Sequence, residues 1–269
     1  MSGPSGADTP KLRLGGMALA NGLLVHGPSH WAAAVRRRDG TIAVASGRKA
    51  HVGGVQHVPG VRGVVRLAEA MAVIPLVKRA LPEARLPFQN PAVLGVAAGA
   101  AVVGARLRRR RGGDLGSELA SSIVSLVPAL AALRTGELAA YHGVEHKAIA
   151  AYEQDAGDAS GAAKEHDRCG SHLIAPMLAA NLAGTMLLRA LDASTEPWAA
   201  SAVALGSIGL SVEVFSWSER HAGSAAARVL RAPGHELQRV LGTREPDERQ
   251  LEVGRAALAE ILRAEGVAA

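Results

Sequence analysis

Three stretches of this chain constrain its fold more than anything else in it. Residues 115–133, 173–191 and 198–217 are almost continuously apolar, and each is close to the roughly 20 residues a helix needs to cross a bilayer. Residues 92–105 form a fourth, shorter run of small apolar side chains. Polar groups inside these runs are few. Glu118 sits in the 115–133 run, Asn181 and Arg189 in the 173–191 run, and Glu213 in the 198–217 run. A carboxylate in such a segment turns toward a partner or a polar cavity, so Glu213 and Glu118 are a candidate intramembrane polar site; the competing structural reading pairs Glu213 with a helix end or with Arg62 or Arg66 and places Glu118, near its helix start, at the interface. Arg189 is close enough to an end to snorkel. Trp198 and Trp217 bracket the last run as interface anchors do. Abundant Ala, Gly and Ser favour close helix packing in lipid. A mean hydropathy of +0.14 beside 20% charged residues means that the apolar residues are concentrated in segments. These features predict a mainly α fold, an integral membrane helical bundle of about four transmembrane helices. A buried, soluble helical core is the alternative.

The rest of the chain flanks or interrupts that region. Residues 1–10 are small and polar and read as a disordered lead; they carry no basic stretch followed by an apolar core, so no cleavable signal is expected. Residues 11–90 read as a small β-rich region followed by a helix lying at the interface. Short apolar runs lie on either side of Asp39-Gly40, a strong hairpin signal because the turn needs positive φ. Arg36, Arg37 and Arg38 read as a solvated strand end, with a phosphate-binding patch as the competing reading. The membrane region covers 91–217, with an insert at 134–170. Residues 218–269 read as a C-terminal amphipathic helical region. Its last helix opens at Thr243-Arg244-Glu245-Pro246-Asp247, with Pro and acids in the first turn.

The linkers carry orientation information that conflicts. Residues 106–111 contain five arginines, and 192–197 is short and acidic. If both are hairpin loops, 1–90, 134–170 and 218–269 share one face. Arginines in a short loop argue that the loop is cytoplasmic. The missing leader and the basic N-terminal region argue instead for a cytoplasmic large face, in the cell inner membrane, and that is the expectation adopted.

The insert carries the chemistry. Tyr141-His142-Gly143-Val144-Glu145-His146-Lys147 contains His-x-x-Glu-His, the inverse of the usual zinc-protease order. On a helix His142, Glu145 and His146 share a face, and Glu153 joins the stripe two turns on. Two imidazoles one turn apart suit a divalent ion, zinc above all, and the carboxylate between them suits a general base. His166 and Cys169 are three residues apart ahead of the 173–191 run, and a thiolate is a strong zinc ligand. The candidate ligands are therefore His142, His146, Cys169, His166 and Glu153, with Glu145 as the catalytic candidate. The competing structural reading makes the histidines caps or hydrogen-bonding groups at a helix start and Cys169 a buried bystander. His172, His221 and His235 read as surface or packing residues.

Composition narrows the partners. Cys169 is the single cysteine, so no internal disulfide forms. The net charge of +6 suits anionic headgroups. Aromatic residues make up only 3%, too few for base stacking, and the arginine runs flank apolar segments. Specific nucleic-acid binding is therefore not expected.

The motif also carries a resemblance. The run from Tyr141 to Lys147, followed by Tyr152-Glu153, resembles the YqhQ-like family of bacterial membrane proteins, which carries a domain of unknown function (DUF1385). The likeness extends to Gly15-Gly16-Met17-Ala18 with Gly27-Pro28, to Arg62-Gly63-Val64-Val65 with Glu69, to Arg168-Cys169-Gly170, to Glu213 and to the 243–247 segment. The family is described as predicted metal-dependent enzymes, so the resemblance implies a metal site without a substrate. This chain departs from it at Asn21 and His26, where the family usually has Glu and Arg, and at Asp167, where it favours proline. The first pair of departures weakens any acid–base role for the N-terminal motif.

Two functional readings follow. In one, the protein is a metal-dependent enzyme, a hydrolase, acting at the cytoplasmic membrane face on a lipid-linked or membrane-embedded substrate, with membrane lipids as partners. In the other it is a non-enzymatic scaffold or small transporter built on Glu213, Glu118 and the histidines. Convergence of the histidines with a third ligand favours the first, and carboxylates lining a path through the helices favour the second.

Overall fold

The computed structural model describes residues 11–54, 57–110, 115–134, 136–156, 158–194 and 196–267. The expected lead at 1–10 and Arg111 lie outside the described residues.

Four strands form an antiparallel meander: β1 (Gly15–Leu19), β2 (Gly22–His26), β3 (His30–Arg36) and β4 (Ile42–Arg48), in the order β1-β2-β3-β4. The β3–β4 turn is the expected one, with Gly40 at φ +90°. Both faces of this sheet are covered. Ala18, Leu23, Val25, Ala32 and Ala34 point to one face and meet Tyr141, Val144, Leu251 and Ile261 of two helices, α4 (Leu138–Gln154) and α8 (Glu248–Ala264). Leu19, Leu24, Ala33 and Val35 point to the other face and meet Val73 and Val77 of α1 (Val61–Ala80), with Leu81 and Leu86 beyond it. Successive strand residues alternate between the two layers as the pleat requires. Alanine at 32–34 lets a helix approach each face closely. Arg36 pairs with Glu252 and Arg37 with Glu83, so these arginines tie the strand end to neighbouring elements.

Two helical hairpins follow, α2 (Pro91–Arg110) with α3 (Leu115–Arg134), and α5 (Ile174–Ala190) with α6 (Ala199–Arg220). Among the described residues, three helical spans are long and apolar enough to cross a membrane: Gly116–Arg134, Gly170–Ala190 and Ala199–Arg220. The apolar part of α2, Pro91–Leu107, is shorter. The expectation of about four spans thus becomes three. Residues 106–110 are the last turns of α2 rather than a loop.

Glu118, Arg189 and Glu213 of the apolar helices are paired. Glu118 accepts from Arg189 at 2.5 Å. Glu213 takes the Arg62 guanidinium on both oxygens and the Gly60 N–H at 2.9 Å. Buried serines on α6 donate back to their own helix, as Ser207 does to the Val203 carbonyl at 2.6 Å. Trp198 and Trp217 stand at opposite ends of α6 and are exposed.

The end of α3, the start of α5 and the end of α6 meet on the side that carries α4, α7 (Ala225–Leu237) and a π-turn at Gln238–Gly242. α8 is capped by Asp247, whose carboxylate accepts from the Gln250 N–H at 2.8 Å while the Gln250 side chain accepts from the Asp247 N–H. It crosses α4 so closely that a Cβ at Gly254 would sit 2.4 Å from Val144 Cγ1. Gly254→Ala is expected to overpack this crossing and cost about 1–3 kcal/mol, read as a lower Tm in detergent. An unchanged Tm would mean that the α4–α8 contact yields without strain.

Candidate metal centre

α4 starts just after α3 and is buried along most of its length. Its polar residues are therefore held by neighbours rather than by water. His142 Nδ1 lies 2.8 Å from the Gly242 carbonyl, and His146 Nδ1 lies 2.6 Å from the Lys164 carbonyl. A carbonyl only accepts, so each Nδ1 carries the proton and each Nε2 keeps a free lone pair. His142 Nε2 turns toward Cys169. Its thiol lies 3.4 Å from His142 Nε2 and donates to it. His146 Nε2 is buried and has no hydrogen-bond partner among the described residues.

Donor atoms of His142, His146 and Cys169 all lie within 4.8 Å of one another. Around a tetrahedral zinc ion, nitrogen and sulfur donors sit roughly 3.5 Å apart, so the His142–Cys169 separation already fits and the rest closes with small shifts. Fixing the far ring nitrogen on a carbonyl is how metal-binding histidines are usually oriented. An orphaned buried Nε2 beside a second imidazole and a thiol is a donor set that suits zinc. Three protein donors leave one position open, the number found in catalytic sites.

Burial disfavours charge on His146 and Cys169. Burial, reinforced by nearby His142, lowers the His146 pKa to about 3. Burial pushes the Cys169 thiol up. Glu145 is 8% exposed. Its side chain lies on β1, where a Cβ at Gly16 would come within 2.7 Å of Glu145 Cγ. Burial raises the Glu145 pKa to about 7, opposed by His142 and reinforced by Cys169.

The other candidates are placed elsewhere. His166 Nδ1 accepts from the Arg168 N–H at 3.2 Å, so its Nε2 is protonated and donates to Glu153 at 3.3 Å. Glu153 also pairs with Arg168. His166 and Glu153 thus face each other in a layer beside the group and are not among its three converging donors. Glu118 and Glu213 hold their arginines in the helical bundle.

Sequence reasoning missed Gln238. Fully buried, it accepts from the His166 N–H at 2.8 Å and donates to the Ser171 hydroxyl at 2.8 Å. It therefore grips both sides of the loop that carries Cys169. The same π-turn ends at Gly242, whose carbonyl sets His142. His172, buried and stacked on Phe215, joins this network by accepting from Gln238 at 3.2 Å. Gln238 has no motif around it, and only the π-turn reveals its position. Lys147, also buried, donates to the carbonyls of Ser160 and Ala162 and so holds the loop that ends at Lys164.

Gln238→Leu leaves the His166 N–H without its acceptor and is expected to cost roughly 1–3 kcal/mol. Zinc affinity should fall roughly 10–100-fold, as when an outer hydrogen bond of a metal site is removed. Thermal melts and zinc titration in detergent read the two effects separately. Unchanged zinc affinity would reduce Gln238 to a purely structural residue.

The family comparison covers this region. A family described as "Protein of unknown function (DUF1385)" matches residues 130–264. The matched span contains α4, the Cys169 loop, the α5–α6 hairpin, the π-turn and α8. No curated protein and no solved structure matches the chain. The match covers half of the sequence and every residue of the His142, His146 and Cys169 group, and the chain belongs to the DUF1385 family.

Proposed function

We propose that this protein is a membrane enzyme that binds one divalent ion, zinc first, through His142, His146 and Cys169, and that it hydrolyses a lipid-linked or membrane-embedded substrate. The observation that carries the reading is the fixed pair of imidazoles. Both Nδ1 atoms are held by main-chain carbonyls, and the buried His146 Nε2 has no partner among the described residues. An ion held there supplies Lewis acidity and draws the pKa of water toward neutrality. Glu145 holds a proton beside the site at slightly acid pH and gives it up near pH 7, as a general acid–base group requires. Burial of His146 and Cys169 keeps bulk water from competing. The group sits where α3, α5 and α6 end, which favours a substrate presented by the bilayer. We place this face in the cytoplasm, at the inner membrane. The transporter reading has less support, because Glu118 and Glu213 are each occupied by an arginine.

Elemental analysis of detergent-purified protein is expected to give near-stoichiometric zinc, lost in His146→Ala. With cobalt in place of zinc, a thiolate charge-transfer band is expected, absent in Cys169→Ser. Full metal occupancy in His146→Ala would sink the assignment.

The Glu145 carboxyl gives a pH signature in chelated protein. Its folded pKa, about 7, lies above the ordinary value of 4.5. It therefore stabilises fully below pH 4.5, and this stability is lost as pH rises to about 7. Glu145→Gln is expected to remove that loss, making the variant more stable than the parent above pH 7, by about 3 kcal/mol at most. Melting curves of both proteins across this range check it; parallel pH profiles would show that Glu145 is not held protonated by burial.

A further inference from the structure

A cavity of about 310 Å³ lies between the α2–α3 hairpin and the α5–α6 hairpin. Each hairpin is closely packed within itself, while α3 and α5 touch sparingly. One wall is a polar stripe on α3, where Glu118, Ser121, Ser122 and Ser125 recur at three- and four-residue spacing. Asn181 of α5 and Ser207 of α6 also line the space. Met177 and Ile208 supply an apolar wall.

The hydrogen-bonding balance describes an occupant. Ser125 donates to the Ser122 carbonyl and Ser207 to the Val203 carbonyl, both at 2.6 Å. Both hydroxyl protons are thus committed, and oxygen lone pairs remain. Glu118 is neutralised by Arg189. The Asn181 amide has no partner among the described residues. An amide in an apolar layer is unfavourable without a hydrogen-bonding companion. The fitting occupant therefore brings hydroxyl donors and no net charge. Ser125 is exposed at the mouth, and Met177, Leu178 and Ile208 of the facing helices line the same space, an apolar surface for acyl chains. The volume is at the lower end of small-molecule sites, about 300–1,000 Å³, enough for a lipid head without its tails.

We propose that this cavity binds the uncharged, hydroxyl-bearing head of a membrane lipid of the diacylglycerol type. The inference stands apart from the metal reading, and neither depends on the other.

The test uses the full chain in phosphatidylcholine nanodiscs containing a diacylglycerol with a diazirine beside its ester. After irradiation, mass spectrometry maps the labelled peptides. Label is expected on residues 118–125 and 177–181, displaced by excess plain diacylglycerol. It should fall roughly fivefold or more in Asn181→Leu, which removes a hydrogen-bonding partner at nearly constant volume. Ser125→Leu, at the exposed mouth, should cause the same loss without disturbing buried packing. Phosphatidic acid with the same diazirine should label these residues weakly. Label spread evenly over lipid-facing positions and insensitive to competitor and to both variants would overturn the proposal and leave water as the occupant. Stronger labelling by phosphatidic acid would overturn the uncharged head. A disulfide between two copies of Ser125→Cys, with no saturable lipid label, would assign the face to a second chain instead.

Discussion

Two main-chain carbonyls, of Lys164 and Gly242, determine what the histidines of α4 can do. Each takes the Nδ1 proton of one ring and leaves the opposite nitrogen as a free lone pair, beside Cys169 in the case of His142. Helical spacing puts His142 and His146 on one face, but it cannot choose the tautomer. Much of the fold outside the long apolar helices serves to hold these carbonyls. Buried Lys147 bonds into the loop that ends at Lys164. Gln238 and the π-turn hold Gly242 and the Cys169 loop together. The sheet and α8 enclose α4 from the other side.

The apolar layer follows a related rule. A carboxylate placed there needs an opposite charge or a backbone donor, and Glu213 and Glu118 both have one. Glu213 has Arg62 and Gly60, and Glu118 has Arg189. The first of these pairs ties α1 to α6, so the helix that covers one face of the sheet also anchors it to the bundle.

Length and hydropathy make the long helices legible in the sequence, because crossing a bilayer takes a fixed number of apolar residues. The β3–β4 hairpin is legible from Asp39-Gly40, where glycine takes a φ few other residues adopt. The arginines at 106–110 mislead as loop signals, because arginine is a good helix former and α2 runs through them. Glu153 lies on the correct stripe of α4, yet the helix ends at Gln154, and the returning chain brings Arg168 and His166 onto it. That encounter joins residues more than a dozen apart and leaves no periodic trace. Gln238 is illegible for the same reason. A π-turn has no compositional signature, and its side chain acts on a loop distant in sequence.

The order of the chain divides the centre. Lys164 and Cys169 precede the α5–α6 hairpin, and Gly242 and Gln238 follow it. Their meeting requires both helices to be seated and the chain to return to the same side. His142 has its carbonyl partner only where the π-turn that follows α6 is formed. α8, the last helix, closes the sheet over α4. The cluster thus depends on segments from both sides of the α5–α6 hairpin, and a chain cut within that hairpin has the histidines but not the carbonyl that sets His142.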